Sequence, residues 1–127
     1  MKYLLVTGWL LLFSATDQID KRNLLGKYFS VKNSPEKSSE LELKTNYRFT
    51  YSYRSSGCQG EIQGGWVNVN GKIKFTNDPE FIDKSKALYP DLSLVNWSIH
   101  KNGIKPDGAL ETGCFIEKNL HRKEKLN

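Results

Sequence analysis

The chain has 127 residues, with 19 Lys and Arg against 14 Asp and Glu and a formal net charge of +5. That length holds one domain of ordinary size and excludes a multi-domain architecture. The positive balance is mild and the acids are interspersed along most of the chain, so charge alone does not mark a nucleic-acid-binding surface.

Residues 1–16 read as a secretory signal peptide. Lys2 precedes the apolar run Tyr3-Leu4-Leu5-Val6-Thr7-Gly8-Trp9-Leu10-Leu11-Leu12-Phe13, and small residues Ser14-Ala15-Thr16 lead to the first acid, Asp17. The run is eleven residues, whereas a membrane span needs roughly twenty. No cysteine follows it to carry a lipid. The expectation is a secreted or periplasmic protein with no stable membrane anchor, and residues 17–127 as a single domain. Without Lys2, 18 cations face 14 acids, a net of +4.

After a polar lead-in, residues 26–32 read as a first strand and residues 33–38 as a loop. Glu40-Leu41-Glu42-Leu43-Lys44 alternates strictly, and Tyr47-Arg48-Phe49-Thr50-Tyr51-Ser52-Tyr53-Arg54 continues the period of two. One face is aromatic and the other polar, as in a half-buried strand. Keeping Leu41 and Leu43 on the face of Tyr47 and Phe49 requires an odd-length hairpin loop, Lys44-Thr45-Asn46, with Asn46 left-handed.

Cys58 and Cys114 are the two cysteines, and an oxidising compartment predicts their pairing. Closing a loop of that size contributes roughly 4 kcal/mol in the chain-entropy treatment. Neither cysteine has a Cys or His two to four positions away, so no metal site is expected. Between two strand-like runs, Asn70-Gly71 predicts a type I′ hairpin that pairs Val69 with Lys72, Asn68 with Ile73 and Trp66 with Phe75. Gly64-Gly65 suggests a bulge or a sharp bend.

The middle, residues 77–90, breaks the pattern and reads as a long loop or one short helical turn begun by Asp78 and Pro79. Residues 92–100 return to strand-like chemistry, and Lys101-Asn102-Gly103 turns. Residues 104–108 read as a turn-rich link, and residues 109–119 as a closing strand. The basic run His121-Arg122-Lys123-Glu124-Lys125 reads as a solvated, frayed terminus, with contact to an anionic surface as its functional alternative. The whole is all-β: an antiparallel meander of seven or eight strands that closes most readily into a small barrel.

Leu25-Gly26-Lys27-Tyr28, a Leu-x-Leu pair before an aromatic strand, and Gly65-Trp66 in a hairpin together resemble the small bacterial lipocalin-like domains, over residues 24–75. The resemblance implies a lipocalin-like barrel. Tyr28 stands where lipocalins proper have tryptophan, and the chain is shorter than theirs.

Catalytic and cofactor signatures are missing from the sequence. There is no nucleophile elbow, no phosphate-binding glycine motif, and the two histidines, His100 and His121, are far apart in the chain. The expectation is a non-enzyme without cofactor and without nucleic-acid binding, because alternation puts the rings and arginines of residues 47–54 on opposite faces. Three functional readings remain, the third of them a hydrolase. In the first, the barrel takes a small apolar or amphipathic ligand, lined by Tyr28, Tyr47, Phe49, Tyr51, Trp66, Phe75 and Trp97. In the second, those rings fill the barrel, and the protein engages an extracytoplasmic protein, as an inhibitor does, through loops 33–38 and 78–91.

Overall fold

The alternation over residues 40–54 folds as two paired strands, and the rest of the chain wraps into a barrel around their apolar face. The computed structural model describes residues 24–82 and 89–123, so the expected signal segment and the centre of the long middle loop lie outside the described residues. Its strands are β1 (Gly26–Ser30), β2 (Lys37–Lys44), β3 (Arg48–Ser55), β4 (Cys58–Val69), β5 (Lys72–Asn77), β6 (Trp97–His100), β7 (Gly103–Pro106), β8 (Leu110–Glu111), β9 (Ile116–Glu117) and β10 (His121–Lys123). Eight of them close an antiparallel barrel in the order β1-β10-β7-β6-β5-β4-β3-β2, and β8 and β9 form a separate two-stranded ribbon. Outside the strands, the described helical structure is limited to short 3-10 turns.

The β2–β3 register keeps both apolar faces in phase, with Leu43 opposite Phe49 and Leu41 opposite Tyr51. The connection has odd length, as that phasing demands, but it lies one residue later than expected. Lys44 pairs with Arg48, and the turn is Thr45–Tyr47. Asn46 is left-handed at φ 60°, and so is Tyr47 at φ 58°. That second left-handed residue swings Tyr47 off the strand, and its side chain is 40 % exposed. Tyr47 is therefore a correction: it lies outside the barrel, edge-on to Trp66 with ring centroids 5.3 Å apart.

The Asn70-Gly71 hairpin has the expected register, Val69 to Lys72, Asn68 to Ile73 and Trp66 to Phe75. Both turn residues take positive φ, 53° and 83°, as a type I′ turn requires. No bulge interrupts β4 at Gly64-Gly65, since its register is constant against both β3 and β5. Gly64 serves close approach instead. A Cβ there would stand 2.0 Å from the Thr76 carbonyl oxygen and 2.7 Å from the Phe49 ring.

Three later segments differ from expectation. Asp78 and Pro79 begin one short helical turn, Pro79–Phe81, as one of the two expected readings had it, but a second 3-10 turn, Leu92–Leu94, replaces the start of the expected strand. Residues 103–106 are strand β7 rather than a turn-rich link. Pro106 is tolerated because β10 reaches β7 only at His121 opposite Ile104, which leaves the proline beyond the neighbour that would need its N–H. Residues 109–119 do not close the barrel but fold into the ribbon. Closure falls to the basic run: His121, Arg122 and Lys123 pair with Ser30, Phe29 and Tyr28.

The turns at 45–47, 70–71 and 101–102 share one end of the barrel, with the chain entering beside them, since Gly26 faces Leu43 and Ile99 N–H donates to the Gly71 carbonyl. The opposite end carries the long connections and the ribbon. There Cys58 at the start of β4 is bonded to Cys114 in the ribbon's turn, with Cα atoms 5.5 Å apart. Leu110 is buried in the core, and Phe115 packs against it with Lys37 Nζ 4.6 Å from its ring centre.

Candidate functional site: a buried polar cluster at the loop end

Six of the seven side chains expected to line the barrel do point inward: Tyr28, Phe49, Tyr51, Trp66, Phe75 and Trp97 are all buried. They pack on one another and on Leu41, Leu43, Ile62, Ile73 and Ile104. Ring contacts run along the interior, from Phe49 to Phe75 at 4.8 Å, Phe75 to Trp97 at 5.9 Å and Trp97 to Tyr51 at 6.2 Å, all edge-on. That geometry adds to the burial term. Two inward groups satisfy their polar tips locally, Tyr28 OH donating to the Leu24 carbonyl at 2.8 Å and Trp66 Nε1 to the Lys44 carbonyl at 3.3 Å.

Toward the loop end the filling turns polar. Ser39 of β2, Tyr51 of β3, Glu117 of β9 and His121 of β10 meet there, all nearly inaccessible, and the Trp97 ring lies edge-on to the imidazole at 5.1 Å. Ser39 occupies the inward position next after Leu41 on β2, and Tyr51 faces Leu41 across the β2–β3 pair, so alternation alone aims both here. Glu117 and His121 arrive from the two strands that end the described chain. Tyr51 OH donates to Glu117 Oε1 at 2.9 Å, and Ser39 Oγ is hydrogen-bonded to the same oxygen. His121 Nε2 lies 2.9 Å from Ser39 Oγ and 3.2 Å from Glu117 Oε1. His121 Nδ1 faces the Asn119 carbonyl at 2.9 Å, which fixes it as a donor.

Proton counting follows from these contacts. Ser39 supplies one hydrogen to a triangle whose other corners are Glu117 Oε1 and His121 Nε2. With Nδ1 committed to a carbonyl, the triangle needs one further proton, on the carboxyl or on Nε2, so the pair is neutral as a whole. Burial alone would raise the Glu117 carboxyl. The hydrogen bond and charge of His121, with the hydroxyls of Ser39 and Tyr51, outweigh it and hold the carboxyl below its ordinary value. Burial, with the neighbouring carboxylate, pushes the Tyr51 phenol well up.

The cluster resembles a Ser-His-acid triad in composition and differs in wiring. In a triad the acid orients the imidazole from the nitrogen opposite the serine. Here the carboxylate sits on the serine's side, a backbone carbonyl holds the other nitrogen, and Ser39 is 3 % exposed. The Ser39 hydroxyl is therefore nearly inaccessible. What the arrangement does is tie β2 and β3 to the ribbon and the closing strand. Two buried polar atoms of this neighbourhood, Glu117 Oε2 and Trp97 Nε1, have no hydrogen-bond partner among the described residues. Outside the cluster, Arg48 and Asp78 form a two-pronged pair on the surface, and Lys72 binds Ser98 and Asp107. Among the described residues, no three His, Cys, Asp or Glu side chains are placed to hold a metal, and no helix is long and apolar enough to cross a membrane.

Sequence reasoning missed Ser39, Glu117 and His121 as a group. The only signal was local: Ser39 continues the inward parity of Leu41 and Leu43, whereas β9 and β10 are two and three residues long and show no period. The chain matches no protein-family model, no curated protein and no solved structure.

Proposed function

We propose that this chain is an exported, lipocalin-like barrel whose interior is structural and which binds an extracytoplasmic protein through the connections at its loop end. The observation that carries this reading is the filled interior: the rings that could have lined a ligand cavity are buried against one another. A ligand chamber needs a concave, largely preformed space that these side chains already occupy. Five of the nine exposed large apolar side chains among the described residues are consistent with the same reading. Val31, Ile82, Tyr89, Leu94 and Ile116 all sit on loop-end connections or the ribbon, and Leu94 is 78 % exposed. Apolar side chains displayed on loops anchored to a barrel fit recognition of a protein surface. The disulfide and the polar cluster brace this end, which lowers the ordering cost of binding.

The test has two parts. Native mass spectrometry of the mature, unreduced protein is expected to give the bare chain mass, and an extra mass released by denaturation overturns the filled-barrel reading. Chemical cross-linking in the exporting cell is then compared for the native chain and for Leu94→Ser with Ile116→Ser. Loss of a cross-linked partner with an unchanged melting temperature supports the reading, and an unchanged cross-link overturns it.

A further inference from the structure

The outer wall of the barrel carries a groove on the polar side of the alternation. Tyr28, Leu41, Tyr51 and Ile62 point inward, so their chain neighbours Phe29, Glu40, Ser52 and Glu61 point outward. The register sets these four in one row across β1 to β4: Phe29 faces Glu40, Glu40 faces Ser52, and Ser52 faces Glu61. In the next row Ser38 faces Arg54, and Arg54 faces Gln59. With strands about 4.8 Å apart, the first row is about 14 Å long, and the second lies about 7 Å from it along the strands. The groove they line has a volume of about 660 Å³.

Two contacts fix the side of this groove that borders the β1–β2 connection. The Asn33 carboxamide pairs with the Ser39 backbone, Oδ1 accepting from the N–H at 2.9 Å and Nδ2 donating to the carbonyl at 3.2 Å. Arg54 Nη1 donates to the Pro35 carbonyl at 3.1 Å, and the guanidinium is not ion-paired with Glu40 or Glu61. The floor is rigid for another reason: β3 pairs with β2 and with β4 along its whole length, from Arg48 to Ser55. The groups presented are mixed in kind. Glu40 and Glu61 accept, the Arg54 guanidinium donates, and Ser38, Ser52 and Gln59 do both. Phe29 adds one half-buried ring at the end of the row.

We propose that this groove binds a neutral oligosaccharide, with its hydroxyls against Glu40, Ser52, Arg54, Gln59 and Glu61 and a sugar ring against Phe29. Neighbouring sugar hydroxyls match the two oxygens of a carboxylate and the fork of a guanidinium, each of which can make two parallel hydrogen bonds. The C–H face of a sugar ring packs on the aromatic ring by dispersion. Other ligand classes fit less well. An anion meets two carboxylates, a cation meets Arg54, and a hydrocarbon chain meets one apolar side chain among polar groups that it would strip of water. The volume is ordinary for a small-molecule site, and the length of the row suits a short chain of sugars over a single ring. Because strands carry the contacts, little ordering opposes binding. The site lies on the barrel wall and does not depend on what the apolar side chains of the loop end bind.

The experiment is a ¹H–¹⁵N chemical-shift titration of the mature, unreduced protein with cellobiose, maltose and N,N′-diacetylchitobiose at millimolar concentrations. At least one of them is expected to shift residues 29, 38–40, 52–54 and 59–61, with residues 99–104 unmoved. Hydrogen bonds to a charged group are worth about tenfold or more in affinity, so Glu40→Ala with Glu61→Ala is expected to weaken binding at least about tenfold. Both side chains point outward, and an unchanged melting temperature shows that the double variant is folded. Salt screens charge and leaves a neutral ligand's affinity unchanged, so a steep loss of binding in added salt contradicts the proposal. Equal shifts with glycerol, the same shifts with calcium chloride alone, shifts confined to other residues, full affinity in the folded double variant, or no shift with any of the three sugars overturns it.

Discussion

Replacing Glu117 by glutamine tests the buried cluster most directly. The side chain keeps its size and can still accept from Tyr51 OH, but it loses the charge that faces His121 Nε2 at 3.2 Å and stays bonded to Ser39. Removing one partner of a buried pair costs about 3–5 kcal/mol when the other charge remains uncompensated. Because glutamine can still accept from Tyr51 and the His121 Nδ1 bond to Asn119 is untouched, the expected loss is at the low end, about 3 kcal/mol at neutral pH. For a chain of this size that lowers the melting temperature by about 10–15 °C. The variant also changes the pH dependence. The carboxyl of Glu117 is held below its unfolded value of 4.5, so its contribution is complete above that value and fades as pH falls through the lower folded one. Denaturant unfolding of the unreduced mature chain between pH 7 and pH 2 checks both points. The native protein is expected to lose more stability than Glu117→Gln across the acid range, so the two curves converge. Equal stability at pH 7 with parallel curves refutes the assignment of Glu117 as a charged, paired group.

Three further outcomes are expected. Replacing Cys58 and Cys114 together by alanine is expected to lower unfolding free energy by roughly 4 kcal/mol, read by denaturant melts beside the oxidised parent, and an unchanged midpoint refutes it. Gly64→Ala is expected to destabilise the barrel, because the new methyl meets the Thr76 carbonyl at 2.0 Å, while Gly65→Ala is tolerated with its nearest contact at 3.4 Å; thermal melts of the pair decide, and equal effects contradict the close-approach argument. Trp97→Ala, which removes a side chain with rings of Tyr51, Phe75 and His121 around it, is expected to cost about 3–5 kcal/mol in the same assay.

The parts of this fold that were legible in the sequence are those that repeat a constraint. Residues 40–54 alternate over enough positions to set face and register together, and a single slip would have exposed Leu41 and Leu43. Asn70-Gly71 states its turn type locally, because both residues tolerate the positive φ they adopt. Tyr47 shows where alternation misleads. It has the right parity for the core, but parity belongs to strands, and a second left-handed residue in the turn removes it from the strand altogether. The cysteine pairing was legible because the expected compartment and the count left little choice, although the position of Cys114 in the ribbon's turn was not.

The closing strand was illegible for a physical reason, and the same reason explains the cluster. A strand of three residues with one buried side chain shows no period, and a run rich in Lys and Arg has the composition of a solvated tail. Its inward residue is His121, a polar group at a position where a long strand would place Val or Ile. Among the described residues one bridge to β7 and three pairs to β1 hold this strand, a short ladder. The network of Ser39, Tyr51 and Glu117 supplies an attachment that hydrophobic burial of a single side chain would not, and it fixes which residue of the basic run enters the core. Shifting the run by one residue would put Arg122 against Glu117 and Trp97 and turn His121 outward. On this argument the buried polar contacts select the register of closure, as isolated buried polar groups do elsewhere. The register that seats His121 in the core is therefore the one on which closure depends, and a substitution at His121 is expected to loosen β10 from both β1 and β7.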